Sequence, residues 1–323
     1  MKKIIGIGNA LMDAMVPIKS YDLIDELSLP HGGMVMIDKD KYALISEKIK
    51  NIDKSYIAGG SASNTIYGMA KLGIPVSLIG KVGTDELSSI YATDLINAGV
   101  NPMLLASESS PTGCATAFVT PDGERTFATF LGAASELHED NITEEQLRGH
   151  DILHLEGYLL FNHNLVKKAM QVAKSLNMKI SLDLAAHNFV EGNREIILNL
   201  LENYVDYCFA NEEESMALTG LAPADALEAL SKHCEYTVVK LGANGSLIKH
   251  NGVVYEVDVF PANKVDTTGA GDLYASGFIY GIINGFSPAR CGELGSMLGG
   301  KVIEVYGARI NDWEEILLNK DRK

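Results

Sequence analysis

The chain has 323 residues, with 42 Asp and Glu against 27 Lys and Arg and a formal charge of −15. That balance argues against a nucleic-acid partner, because counterion release needs clustered cations and no run of Lys or Arg occurs. The length is ample for a sizeable core, and no stretch is apolar enough to span a membrane. Cys114, Cys208, Cys234 and Cys291 are too scattered for a Cys-x-x-Cys pair, so reduced thiols in a cytoplasm are expected.

Met1-Lys2-Lys3 before an apolar run has the outline of a signal peptide. Gly6, Gly8, Asn9 and Asp13 interrupt it, however, and predict a buried strand over Ile4 to Gly8. Leu11 to Ile18 and Met34 to Ile37 read as β segments. Gly59-Gly60 then precede a helix from about Ser61 to Leu72, with Ser61 as the candidate N-cap. A strand is predicted at Val76 to Gly80. Thr112 to Thr120 and Arg125 to Phe130 read as two β segments joined by the turn Pro121-Asp122-Gly123. Further buried strands are predicted at Ile152 to Leu155, Lys179 to Leu184, Tyr207 to Ala210 and Thr237 to Lys240, with helical spacing between them. This alternation is the signature of an α/β fold with a mostly parallel central sheet covered on both faces. No internal repeat or low-complexity segment divides the chain.

The most informative segment is Val265-Asp266-Thr267-Thr268-Gly269-Ala270-Gly271-Asp272, which runs into an apolar helix. Two glycines flanking an alanine allow a tight turn with nothing bulky on it, so that N–H groups at the helix start converge on an anion. Asp272 would sit beside that anion in the first helical turn. A carboxylate is awkward there unless it takes a proton from an alcohol attacking a phosphoryl group. Capping of an ordinary helix gives the same residue types a purely structural use. An acidic chain that holds a polyphosphate needs local positive field, for which Arg125 and Lys240 are candidates. Gly59 and Gly60 would let a hydroxylated ligand approach the backbone, with Asn64 offering a donor and an acceptor, and Asp13 could accept from two vicinal hydroxyls. Two near matches are set aside. Gly6-Ile7-Gly8 lacks the third glycine of a dinucleotide fingerprint and meets Pro17 where a helix should continue. Gly295 to Val302 has P-loop spacing, but Val302 replaces the hydroxyl residue and the segment reads as a helix packed through small residues.

Asp266-Thr267-Thr268-Gly269-Ala270-Gly271-Asp272, with Ala58-Gly59-Gly60-Ser61-Ala62-Ser63-Asn64 and Gly80-Lys81-Val82-Gly83-Thr84-Asp85 far upstream, resembles the paired signatures of the ribokinase-like (PfkB) carbohydrate and nucleoside kinases. The resemblance covers nearly the whole chain. It implies a three-layer ribokinase-like fold, a single kinase domain over 1–323, and a small β lid formed near 11–38 and 112–130. It further implies Asp272 as base, Gly269, Ala270 and Gly271 as the anion hole, and ATP with Mg²⁺ along Thr268, Lys240, Gly242, Gly245 and Asn211. Glu214 would act on Mg²⁺ through water, although Asn211 to Glu214 also reads as a capping box. K⁺ at Asp266 belongs to the same expectation.

Gly8-Asn9-Ala10-Leu11-Met12-Asp13 resembles the form found in the adenosine kinase branch, which implies Asn9 and Leu11 against a purine and Asp13 on the ribose. Asp183-Leu184-Ala185 departs from the Asp-Pro-Asn of many sugar kinases. Arg125, in Gly-Glu-Arg-Thr, would meet the transferring phosphate from the lid. The expected activity is phosphorylation of the 5′-hydroxyl of adenosine or a related nucleoside. The alternatives are a PfkB-type kinase of ribose, fructose or a related sugar acid, and a catalytically silent ligand sensor. A small-molecule substrate, a monomer or homodimer, and neither nucleic-acid nor membrane partners complete the expectation.

Overall fold

A computed structural model describes residues 2–321. Its strands are β1 (Ile4–Ile7), β2 (Leu11–Pro17), β3 (Gly33–Met36), β4 (Ser55–Gly59), β5 (Val76–Val82), β6 (Val100–Ala106), β7 (Gly113–Val119), β8 (Arg125–Phe130), β9 (Ile152–Glu156), β10 (Lys179–Asp183), β11 (Tyr207–Asn211), β12 (Tyr236–Lys240), β13 (Ser246–His250) and β14 (Val253–Val257). They form a nine-stranded sheet in the order β14-β13-β12-β11-β10-β9-β1-β5-β6 and a five-stranded sheet in the order β3-β8-β7-β2-β4. In the larger sheet only the pairings of β12 with β13 and β13 with β14 are antiparallel.

Alternation along β1 shows how the large sheet serves two cores. Ile4 packs with Leu78, Phe209 and Val238 under the helices Ser61–Lys71, Ala270–Ile283 and Pro288–Val302. Ile5 and Ile7 point the other way, with Ile79, Leu155 and Ala210, toward helices such as His163–Ser175. A strand buried on both faces has no polar side to show, which is why these segments read as continuous apolar runs. A Cβ on Gly6 would lie 2.5 Å from Ile66 Cγ1, so the glycine sets how closely the helix Ser61–Lys71 approaches the sheet.

The chain leaves β1 into β2 of the smaller sheet instead of into a helix, which disposes of a dinucleotide fold at Gly6 to Gly8. One face of the smaller sheet is covered: Val16, Phe118, Ala128 and Val35 pack with Ile24 and Ile45 of the helices Asp22–Glu26 and Lys39–Lys48. Register places Leu11, Asp13, Met15, Ile57, Phe127, Met34 and Met36 on the opposite face, which looks onto the main body.

The six strands expected for the large sheet and the four β segments expected outside it all occur. β4, β6, β13 and β14 were not foreseen. Gly295 to Val302 is helical, as expected, and lies within Pro288–Val302, where Cβ atoms on Gly295 and Gly299 would meet the backbone oxygens of Tyr274 and Ala270 at 2.9 and 3.2 Å. Those small residues let this helix lie directly on the helix that carries Asp272.

Candidate active site

All the parallel strands end on one edge of the sheet, so the residues at or just past the ends of β1, β9, β10, β11 and β12 converge there. These are Asn9, Glu156, Asp183, Asn211 and Lys240. The helix Ala270–Ile283 starts above them. Its N-cap, Gly269, has φ 75°, and a Cβ there would lie 2.5 Å from that of Ala308, so only glycine fits. Among the described residues no acceptor meets the N–H groups of Gly271 and Asp272. Lys240 Nζ would lie 2.8 Å from a Cβ on Gly271. Two open N–H groups, the positive end of a helix and an ammonium group therefore face one small volume, and this fits the phosphates of ATP.

Lys240 is paired with Asp183, Nζ to Oδ2 at 2.9 Å, and Asp183 Oδ1 accepts from Ala185 N–H at 3.1 Å. Burial works against the Lys240 charge, but Asp183 and Glu214 overrule it and raise its pKa above the ordinary lysine value. Gly242–Asn244 form a single 3₁₀ turn between β12 and β13, closed by Leu241 N–H to Gly245 O at 2.8 Å. Asn211 and Glu214 make the expected capping box in full. Asn211 Oδ1 accepts from Glu214 N–H, and the Glu214 carboxylate accepts from Asn211 N–H and Nδ2. Burial pushes Glu214 up to about 7. No cluster of three or more His, Cys, Asp or Glu forms a metal cage among the described residues. In kinases Mg²⁺ binds chiefly through phosphate oxygens and water, so a protein cage is not required of such a site.

Asp272 lies in the first helical turn. Ser61 Oγ donates to its Oδ1 at 2.7 Å and Asn64 Nδ2 to its Oδ2 at 2.9 Å. Burial, reinforced by Asp183, lifts it from 3.8 to about 6, against the pull of these two bonds and Lys240. Ser61 was expected to cap its helix. The N-cap is instead Gly60, at φ 91°, where a Cβ would strike Asn9 O at 2.1 Å, and the freed hydroxyl serves Asp272. A Cβ on Gly59 would meet the Asp13 carboxyl at 2.5 Å. Asp13 itself is raised to about 7, first by burial and then by Asp266 and Asp272, with Arg309 opposing.

Three residues expected at the ligand already have partners within the protein. Asn64 was expected to offer its donor and acceptor to a ligand, but it commits Nδ2 to Asp272 and Oδ1 to Arg309 Nη1 at 2.8 Å. Asn9 was expected beside a purine. It is 3% exposed, and its N–H and Nδ2 both donate to Glu156 Oε1, at 3.0 and 2.6 Å. Arg125 was expected on phosphate, but its guanidinium is ion-paired with Asp266 and lies 5.7 Å from the Tyr306 ring, joining the small sheet to the body. Asp266 also accepts from Thr268 N–H at 2.8 Å and Gly307 N–H at 2.6 Å. Burial would raise its pKa, but these donors hold it below the ordinary value. With three donors already on that carboxylate, the arrangement does not fit K⁺ unless the guanidinium leaves.

Sequence reading missed Glu156 and Arg309. Glu156 ends the buried strand β9, accepts from Asn9 and from Ala62 N–H at 2.7 Å, and is pushed by burial up to about 7. A glutamate closing an apolar run was the available signal, because unpaired glutamates are seldom buried. Arg309 gave no signal, since its segment has no pattern.

A family model described as pfkB family carbohydrate kinase matches residues 28–315. The chain is 30% identical over 246 residues to an uncharacterised sugar kinase of Archaeoglobus fulgidus, covering 75% of this chain and 96% of that protein. It is 28% identical to an adenosine kinase of Dictyostelium discoideum, covering 95% and 96%. The structure is similar to that of an adenosine kinase from Sinorhizobium meliloti, with TM-score 0.86, 30% identity and 98% of each chain covered.

Proposed function

Because the chain belongs to the pfkB family of carbohydrate kinases and has a ribokinase-like fold, it is a phosphotransferase, and we propose that its substrate is adenosine or a related nucleoside, phosphorylated at the 5′-hydroxyl by ATP. The observation that carries the nucleoside reading is the face of the small sheet turned to the main body. Asp13 is the one carboxylate on that face, with Leu11, Met15 and Ile57 beside it and Phe127, Met34 and Met36 farther along the same face. Two vicinal ribose hydroxyls would satisfy the carboxylate, and a purine would cover the apolar side chains, whereas a free sugar would leave them wet.

Asp272 takes the proton of the 5′-hydroxyl as that oxygen attacks the γ-phosphorus. At neutral pH a carboxyl near 6 is mostly ionised, yet basic enough to accept the proton. The open N–H groups of Gly271 and Asp272, at the end of the Gly269-Ala270-Gly271 turn, and the Lys240 ammonium stabilise charge on the transferring group. Thr268, Gly242 and Gly245 would line the path of the nucleotide, and Asn211 would hold Glu214 for the water around Mg²⁺. Mg²⁺, when bound, neutralises charge on the phosphate oxygens. Arg125 and Tyr306 hold the small sheet closed over the substrate.

Release of ADP measured across a panel of nucleosides and free sugars tests this reading. Adenosine or a close analogue should have the highest kcat/KM. A larger value for any free sugar would overturn the nucleoside reading and leave the phosphotransferase intact. No ADP from any alcohol would point to a ligand sensor.

A further inference from the structure

The segment Gly307-Ala308-Arg309 follows the helix Pro288–Val302 and touches the candidate active site at three successive residues. Gly307 N–H donates to Asp266, Ala308 packs on Gly269, and Arg309 reaches Asn64. The Arg309 side chain is held on two other sides. Its guanidinium lies 4.1 Å from the centre of the Tyr67 ring and 3.4 Å from Asp94 Oδ2. Tyr67 and Asn64 are three residues apart on the same helix, so ring and amide share one face. Arg309 thus arrives prealigned, with Nη1 on the amide oxygen of Asn64.

We propose that Arg309 is a positioning residue for the base, acting through Asn64 to keep Asp272 ionised and aimed. The proposal rests on the reading of Asp272 as base. A primary amide has one accepting end and one donating end, and a half-turn about its last bond exchanges them. The two orientations suit different protonation states of Asp272. With NH₂ toward Asp272 the amide donates to a carboxylate; reversed, its oxygen accepts from a protonated carboxyl. A guanidinium has donors only, so it binds the amide oxygen and rejects the reversed orientation. Arg309 therefore removes the arrangement that would favour protonated Asp272.

That selection has a load to oppose. Burial and the carboxylate of Asp183 already drive Asp272 toward its neutral form, and Asp13, Glu156 and Glu214 face the same volume. Lys240 and Ser61 are the other groups holding it ionised. The Asn64 bond therefore helps set, with Ser61 and Lys240, how far the acidic limb of catalysis lies below neutrality.

The test is the pH profile of kcat at saturating ATP, Mg²⁺ and nucleoside, where ligand covers Asp13 and its titration drops out. Arg309→Met and Arg309→Gln remove the donor-only partner, Gln being able to present either end. Both should move the acidic limb up by about one unit, so that kcat falls roughly tenfold at pH 5.5 and stays near wild type at pH 8.5. Arg309→Lys keeps a donor-only group and should restore the limb. Asn64→Leu should shift the limb by itself, and Arg309→Gln in that background should shift it no further. A limb that stays put, or a further shift in the Asn64→Leu background, overturns the proposal, the latter because the charge would then act on Asp272 directly. If Arg309→Met does not fold, Arg309→Gln carries the measurement. Normal turnover by Asp272→Asn would instead sink the base reading, so the two failures are distinguishable.

Discussion

Asp272→Asn should separate catalysis from stability. The substitution is isosteric, and its hydrogen bonds can be remade. The new amide oxygen can accept from Asn64 Nδ2, and the new NH₂ can face Ser61 Oγ, a hydroxyl able to turn and accept. The fold should survive, whereas removal of a general base lowers kcat by roughly 10²- to 10⁴-fold. Burying the charge lifts Asp272 from 3.8 to about 6, a difference corresponding to about 3 kcal/mol against folding at pH 8. A carboxyl whose folded pKa is raised favours the folded state at low pH and loses that contribution as pH rises through about 6. Asp272→Asn should therefore be more stable than wild type above pH 6, by up to about 3 kcal/mol, with the gain fading between about 6 and 4. Coupled ADP release gives the kinetics, and thermal or urea unfolding at pH 5 and pH 8 gives the stability. Near-normal turnover would refute the base; equal stability at pH 8 would refute the desolvated charge behind its pKa.

Asp13→Ala should lower kcat/KM for adenosine about ten- to a hundredfold, the cost of a bond to a charged acceptor, and a comparable loss with the 2′,3′-dideoxynucleoside would show that Asp13 does not read those hydroxyls. Lys240→Met leaves Asp183 a buried, unpaired charge, so unfolding should show a loss of about 3 to 5 kcal/mol, and Asp183→Asn added to it should recover much of that; no recovery would mean that the pair is not the reason. Arg125→Gln frees one side of Asp266, so K⁺ in place of a large organic cation should stimulate this variant more than wild type. Equal stimulation of the two would locate any monovalent site elsewhere.

Local chemistry made much of this protein legible from its sequence. Apolar runs of strand length mark β1, β5, β9, β10, β11 and β12, because a strand buried on both faces has no solvent side and carries few polar residues, such as Ser77, His154, Ser181 and Thr237. The glycines of 269–271 and Asp272 are readable because a helix start, an open turn and a carboxylate need adjacent residues. The Asn211 box is readable for the same reason. Only the tertiary structure decided what Asn64, Asn9, Arg125 and Arg309 do. Asn64 meets Asp272 across 208 positions and Arg309 across 245, and Asn9 meets Glu156 across 147. An isolated amide or guanidinium carries no periodicity, and the physics that assigns it a partner is burial: once water is excluded, an unpaired donor is costly, so it takes an acceptor the fold brings near, wherever the chain holds it.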